Sequence, residues 1–133
     1  MRIWQQGVGA VIVASFVAFS IHLGLADEGN VAQPLAAPAG SAGEAANAEG
    51  IKHYGAGHWE VAEKHFREAI TADDNLAVAH YNLALALDNQ DRHKEATQEF
   101  DRALKLAPDN PSIAESGILK GHLKRMHRDQ SPH

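Results

Sequence analysis

Identical side chains recur in the middle of this sequence at a fixed interval of 34 residues. An alanine, a phenylalanine and a second alanine occur twice with the same internal spacing, as Ala62, Phe66 and Ala69 and then as Ala96, Phe100 and Ala103. This interval is typical of a helix-turn-helix unit that cannot bury its apolar face alone and is stable only when stacked on a copy of itself. We therefore expect the chain to act through a surface formed by stacked helices.

Apolar side chains recur every three or four residues from residue 45 onward, which is the period of an α-helix. Each run ends in glycine, proline or short polar residues that favour turns or cap a helix. The sequence therefore predicts an all-α fold, a short α-α superhelix of about five helices, with a further apolar leader helix near the N-terminus. We expect the five helices at about residues 45–56, 58–72, 76–89, 91–107 and 111–127.

Small and bulky residues occupy positions that suit packed hairpins. Gly50 and Ala84 are 34 residues apart and are expected where the two helices of each hairpin cross. Phe66 and Phe100 are expected to fill the space between one hairpin and the next. Because both phenylalanines outside the N-terminal apolar stretch fall in register, a helical bundle without repeats is the less favoured alternative.

The last predicted helix has the features of a cap on the stack. It opens with Asn110 and Pro111, an N-cap residue followed by proline at the first helical position. Gly117 and Gly121 are costly in a helix interior, so we expect them to pack closely against the fourth helix, and a helix that frays readily is the alternative. One broad face of this helix is apolar and consists of Ala114, Ile118, Leu119, Leu123 and Met126.

Taken together, these positions resemble the tetratricopeptide repeat. In the first unit, residues 43–76, the family's pattern is met at Gly50, Tyr54, Trp59, Ala62, Phe66 and Ala69. In the second unit, residues 77–110, it is met at Leu83, Ala84, Ala96, Phe100, Ala103 and Pro108. The first unit departs from the pattern at Ala46, Glu49 and Asp74. The resemblance implies stacked hairpins with a concave groove that binds protein partners.

The N-terminus carries an export signal or an anchor. Residues 7–25 contain no charged side chain and follow a short start that holds Arg2. Small residues before Asp27 favour a signal peptide cleaved after Ala26, and retention as a single membrane anchor is the alternative. The predicted organisation is a leader at 1–26, a flexible Ala/Gly/Pro linker at 27–44, the repeat domain at 45–128 with its capping helix at 111–128, and a disordered tail at 129–133.

Composition excludes several functional classes. The chain has no cysteine, which rules out disulfides and thiolate metal sites. Asp and Glu number 17 against 12 Lys and Arg, so the broad positive surface of a nucleic-acid-binding protein is not expected. Neither a phosphate-binding glycine loop nor a nucleophile motif is present in the sequence, and we predict a protein without catalytic residues and without a cofactor.

Nine histidines are the remaining candidates for chemistry. None of them belongs to a recognised metal motif, and we interpret them as exposed histidines on helices. The closest pairs, His53 with His58 and His122 with His127, are five residues apart, a spacing that we expect to point them to different faces. A zinc or copper site assembled from separate helices stays open as an alternative, because neutral imidazole suits both ions.

The resemblance also assigns a groove. Its predicted lining is Asn47, Ile51, Tyr54, Val78, Tyr81, Asn82, Leu85, Asn89, Glu115, Leu119 and His122. Tyrosine and aliphatic side chains in such a groove suit an extended peptide or a partner helix. Of the side chains with which related co-chaperones hold a terminal carboxylate, only Asn82 is present, so that mode of binding is not expected.

These patterns predict a non-enzymatic, exported tetratricopeptide protein that mediates protein-protein interaction or complex assembly in the bacterial envelope. A periplasmic histidine-based metal-binding protein and a membrane-anchored assembly factor are the alternatives. The expected partner is a protein; the membrane is a partner only if the leader is uncleaved. Because two repeats and a cap are few for this architecture, self-association is also expected.

Overall fold

The computed structural model describes residues 32 to 130, and within that range the helical period of the sequence produces an all-α structure. The helices are α1 (Glu44–Gly55), α2 (Trp59–Ala72), α3 (Ala77–Asp88), α4 (His93–Leu106), α5 (Pro111–Ala114) and α6 (Gly117–Asp129). The predicted leader helix at 7–25 lies outside the described residues. Within residues 32 to 130, the helices are all too short or too polar to cross a bilayer.

Two helical hairpins form the body of the structure. Helix α1 packs on α2 and α3 on α4, α2 joins the first hairpin to the second, and α6 lies against α4. The turn inside each hairpin contains a residue with positive φ, Gly57 at 75° and Asp91 at 59°. These two residues are 34 positions apart. The same left-handed turn therefore reverses the chain in both repeats.

The repeated side chains are buried at the centre of each hairpin. Phe66 and Phe100 are fully buried, and so are the four alanines that flank them, Ala62, Ala69, Ala96 and Ala103. A Cβ atom added at Gly50 would clash with the ring of Phe66, so α1 approaches α2 closely because this position has no side chain. The ring of Phe100 lies 5.5 Å from that of Tyr81 and 5.1 Å from that of His122, which links the second hairpin to the cap.

The predicted fifth helix is divided into α5 and α6. Asn110 caps α5 through a bond from the Ser112 N–H to its side chain at 3.0 Å. Ser116 then leaves the helical conformation, with ψ at 121°, and its hydroxyl accepts the Leu119 N–H at the start of α6. A second capping residue inside the predicted helix thus ends the first turn and begins a new helix.

The prediction of close packing at Gly117 and Gly121 was wrong. A Cβ atom added at either position would have no heavy atom within 4 Å. Leu119 and His122 are the buried residues of α6 instead. The two glycines therefore face open space, and the sequence pattern alone does not reveal which side of α6 meets α4.

The structure also differs from the expectation of a free linker over residues 27–44. Residues 32–38 are irregular in secondary structure, and their apolar side chains Ala32, Leu35 and Ala37 are partly buried against the core. The composition of this segment predicts that it buries too little apolar surface to be ordered. The helical domain, however, supplies hydrogen bonds to the segment, and these bonds cannot be read from the segment's own composition. Residues 27–31 of the predicted linker and residues 131–133 of the predicted tail lie outside the described residues.

Candidate partner-binding groove

The backbone of Leu35 is held by two buried asparagines. Its N–H donates to Asn82 Oδ1 at 2.7 Å. Its carbonyl accepts from Asn82 Nδ2 at 2.7 Å and from Asn47 Nδ2 at 3.0 Å. Asn82 Nδ2 also donates to Asn47 Oδ1 at 2.8 Å, so the two amides orient each other. The pair satisfies both backbone polar groups of one residue in an irregular segment, as a site that binds a peptide backbone does.

The first helices of the repeats are joined by a row of polar contacts between residues 35 positions apart. Asn47 on α1 meets Asn82 on α3. Farther along the same two helices, Asn89 Nδ2 donates to Tyr54 Oη at 3.0 Å, again across 35 positions. Tyr81 Oη lies 2.9 Å from Ser116 Oγ, which continues the row from α3 to the start of α6. These contacts fix the spacing of the helices that carry the groove.

An open cleft lies beside the bound segment. It has a volume of about 330 Å³ and runs between residues 32–35 and the start of the cap. Tyr81 and Glu115, two of the predicted groove residues, line it together with Ile118. The cleft offers an aromatic ring, an aliphatic side chain and a carboxylate next to the backbone site at Asn47 and Asn82.

Comparison with known proteins supports this architecture. The family model described as Tetratricopeptide repeat matches residues 47–111, which include most of both hairpins. The chain is a tetratricopeptide repeat protein. It is also similar to Protein O-mannosyl-transferase Tmtc2 of Drosophila melanogaster, at 41% identity over 56 residues, which make up 41% of this chain and 6% of that protein. The chain thus aligns with only a small part of that relative, and no solved structure matches it significantly.

Most residues assigned to the tetratricopeptide groove are buried. The buried members are Asn47, Tyr54, Val78, Tyr81, Asn82, Leu85, Leu119 and His122. Ile51 is half-buried, and Asn89 and Glu115 are exposed. Residues 32–38 lie over part of this set, where they bond to Asn47 and Asn82. The binding role of the set stays a prediction, because burial alone does not distinguish a lining residue from a core residue.

Two histidines expected on the surface are buried. His80 is 6% exposed and His122 is 1% exposed. His80 Nε2 donates to the Asp74 carbonyl oxygen at 2.9 Å, and its Nδ1 donates to Glu99 Oε2 at 2.7 Å. Because both of its ring nitrogens donate, the imidazolium form suits this site. Burial by itself lowers the pKa of His80, but the contacts with Glu99 and Asp74 outweigh burial and raise the pKa above 6.5.

The expectation that histidines five residues apart point away from each other fails at one pair. His53 Nδ1 and His58 Nδ1 lie 3.4 Å apart, and the ring of His65 stacks on that of His53 with centroids 5.4 Å apart. An argument from helical spacing applies only within one continuous helix. His53 lies in α1, whereas His58 is the N-cap residue of α2, so the turn at Gly57 brings their rings together.

Sequence reasoning missed two features of this tetratricopeptide domain. It did not find that residues 32–38 occupy the groove, because an Ala/Gly/Pro-rich composition carries no signal for a specific contact. It also did not find that Asp88, His93 and His122 meet, since these residues belong to three different helices. A possible signal for the first feature was the lone Leu35 amid small residues, at the centre of the segment that the two asparagines hold.

Proposed function

We propose that this protein is a non-enzymatic, exported adaptor of the bacterial envelope whose groove binds an extended apolar segment of a protein partner. The observation that carries this proposal is the capture of the Leu35 backbone by Asn47 and Asn82. Three hydrogen bonds to one internal residue recognise an extended backbone irrespective of sequence, while the neighbouring apolar contacts select a leucine-like side chain. The family match supports protein binding as the general role.

Residues 32–38 act in this proposal as an internal ligand. They display a backbone conformation that a partner segment would adopt, and they compete with that partner for the same two asparagines. The cleft of about 330 Å³ next to Tyr81 gives the partner room to extend toward the cap. A partner binds best when its segment makes the contacts of Leu35 and also fills the cleft.

Export is part of the same proposal and is supported by the sequence. The uncharged stretch at 7–25 and the small residues around Ala26 favour cleavage, after which the chain starts at Asp27. A retained anchor would instead hold the domain at the membrane as an assembly factor. Mass spectrometry of the mature N-terminus separates these alternatives, since a chain that starts at Asp27 has no anchor.

The groove proposal is tested with a labelled peptide of residues 32–38, AQPLAAP, and fluorescence anisotropy. The Leu35→Asp variant of the chain, whose own segment no longer packs well, is expected to bind the peptide at least about ten-fold more tightly than the wild type does. Adding Asn82→Ala to Leu35→Asp is expected to abolish this binding, because it removes two of the three bonds to the Leu35 backbone. Adding Asn75→Ala instead, an exposed asparagine in the loop before α3, serves as the matched control.

Equal peptide affinity for Leu35→Asp and for its Asn82→Ala derivative would contradict the groove assignment. Circular dichroism confirms that each variant is folded. Sedimentation of the wild type distinguishes an internal ligand from exchange of residues 32–38 between two copies, because exchange produces a dimer that Leu35→Asp dissociates.

A further inference from the structure

Three side chains from three helices meet where the second hairpin turns. Asp88 ends α3, His93 begins α4, and His122 lies within α6. Asp88 Oδ1 is 2.7 Å from His93 Nδ1 and 2.9 Å from His122 Nε2. One ligand atom from each of the three residues lies within 4.8 Å of the others, so rotation of the side chains can bring all three atoms around one metal ion.

Thr97 determines which nitrogen of His122 faces the carboxylate. The Thr97 hydroxyl donates to the His93 carbonyl oxygen at 2.7 Å. Its lone pair is then free to accept, and His122 Nδ1 lies 2.8 Å away, so the Nδ1 hydrogen points to Thr97. In the neutral ring, His122 Nε2 therefore carries a lone pair directed at Asp88 Oδ1. The hydrogen bond from His122 Nδ1 to Thr97 thus fixes the tautomer of the ring, as metal-binding histidines require.

A histidine nitrogen faces a carboxylate inside this buried cluster. His122 is 1% exposed, and its Nε2 lies 2.9 Å from Asp88 Oδ1. In the neutral ring both atoms present lone pairs, which repel each other, and a cation bound between them removes that repulsion.

We propose that Asp88 Oδ1, His93 Nδ1 and His122 Nε2 bind one Zn²⁺ ion, with Thr97 as the residue that positions His122. Two imidazoles and one carboxylate suit zinc rather than magnesium or calcium, which prefer oxygen ligands. Donors about 2.0 Å from a tetrahedral ion are about 3.3 Å apart, so the present contacts must widen by a few tenths of an ångström. His93 has a side chain that is 59% exposed and is free to make that adjustment.

Solvent reaches the cluster through a second cleft. This cleft has a volume of about 370 Å³, and His93, Thr97 and His122 line it. It provides an entry path for the ion and room for a water molecule as the fourth ligand. Lys94 and Arg125 also line the cleft, and their charges limit the affinity for the ion.

The ion would join the cap to the second hairpin. Asp88 and His93 flank the turn between α3 and α4, while His122 is a buried residue of α6. Bound zinc therefore crosslinks three helices that otherwise meet through side-chain packing. It raises the stability of the cap in proportion to the free ion concentration, as any ligand that binds only the folded state does.

Calorimetry of the full chain, freed of metal with EDTA and then dialysed, tests the site with ZnCl₂ as the probe. We expect one equivalent to bind with a Kd of about 10 μM or tighter. The His93→Ala variant, altered at an exposed ring, is expected to weaken binding at least about ten-fold and to lose the zinc-dependent rise in thermal midpoint. His58→Ala is the matched control, because His58 belongs to the other close histidine pair.

A second variant tests the positioning role without touching a ligand. Thr97→Val keeps the shape of the side chain and removes the acceptor for His122 Nδ1, and we expect it to weaken zinc binding about ten-fold.

The metal-free thermal midpoint of His93→Ala is expected to match that of the wild type, which separates a ligand role from a structural one. Absence of zinc binding, equal heats from MgCl₂, or loss of binding in His58→Ala but not in His93→Ala would overturn the proposal.

Discussion

At the scale of single residues, the fold depends on where a side chain is absent. Gly50 and Gly121 are both interior residues of helices, but their surroundings are opposite. A Cβ atom at Gly50 would clash with the Phe66 ring, whereas a Cβ atom at Gly121 would have no heavy atom within 4 Å. Sequence reasoning identified the close approach at Gly50 from its register with Ala84. It placed Gly121 wrongly, because a helical pattern does not tell which neighbour a given face meets.

Alanine substitution is therefore expected to have opposite effects at these two glycines. Gly50→Ala should lower the free energy of unfolding by about 1–3 kcal/mol, because the buried Phe66 ring has to move. Gly121→Ala should raise it by up to about 1 kcal/mol, since alanine favours the helix and nothing obstructs its methyl group. Urea denaturation of the two variants and the wild type measures both changes, and a stabilised Gly50→Ala would contradict the helix crossing described here.

At the scale of secondary-structure elements, the buried side chain of His80 joins both helices of the second hairpin to the loop that precedes them. His80 lies on α3, its Nδ1 partner Glu99 lies on α4, and its Nε2 partner is the carbonyl of Asp74 in the loop after α2. The sequence predicted the bounds of α2, α3 and α4 to within one or two residues. It did not predict this contact, because the spacing of 19 residues between His80 and Glu99 has meaning only after the turn at Asp91 reverses the chain.

The His80 contact makes the stability of the protein depend on pH. Because the folded pKa of His80 is raised above 6.5, its stabilising contribution is complete below that pH and is lost as the pH rises through the folded pKa. Glu99→Gln removes the charge that holds the proton, so the difference in unfolding free energy between wild type and variant is expected to be larger at pH 6 than at pH 8.

Urea denaturation at the two pH values measures this difference, and Glu60→Gln on the surface of α2 is the control. Titration of His122, whose burial lowers its pKa, contributes equally to wild type and variant and so cancels. A difference that is constant from pH 6 to pH 8 would show that His80 does not carry the pH dependence.

At the scale of the whole molecule, the two hairpins depend on what covers each end of the stack. On one side, α5 and α6 bury Ile113 and Leu119 almost completely and place the His122 ring against Phe100. Along the groove, residues 32–38 cover Asn47 and Asn82. Two repeats have few neighbours to stack on, so these coverings supply part of the core that further repeats provide in longer arrays.

Removal of residues 111–133 is expected to destabilise the domain strongly. The loss of Ile113 and Leu119 alone removes at least about 3 kcal/mol of apolar burial and exposes the Phe100 ring. A chain that ends at Gln130 keeps α6 and should unfold like the full chain. Thermal denaturation followed by circular dichroism compares the two truncations, and sedimentation shows whether the exposed end causes association. Equal midpoints for both truncations would contradict the capping role of α5 and α6.

The sequence by itself determined the helices, the two repeats and the residues at their centre. Those features depend on local period, on capping residues and on a 34-residue register that is visible without coordinates. Only the tertiary structure decided that Leu35 occupies the groove, that His80 pairs with Glu99 and that His122 meets Asp88. Each of these contacts joins residues from elements distant in sequence, and the geometry of such contacts is set by how the helices pack rather than by the residues themselves.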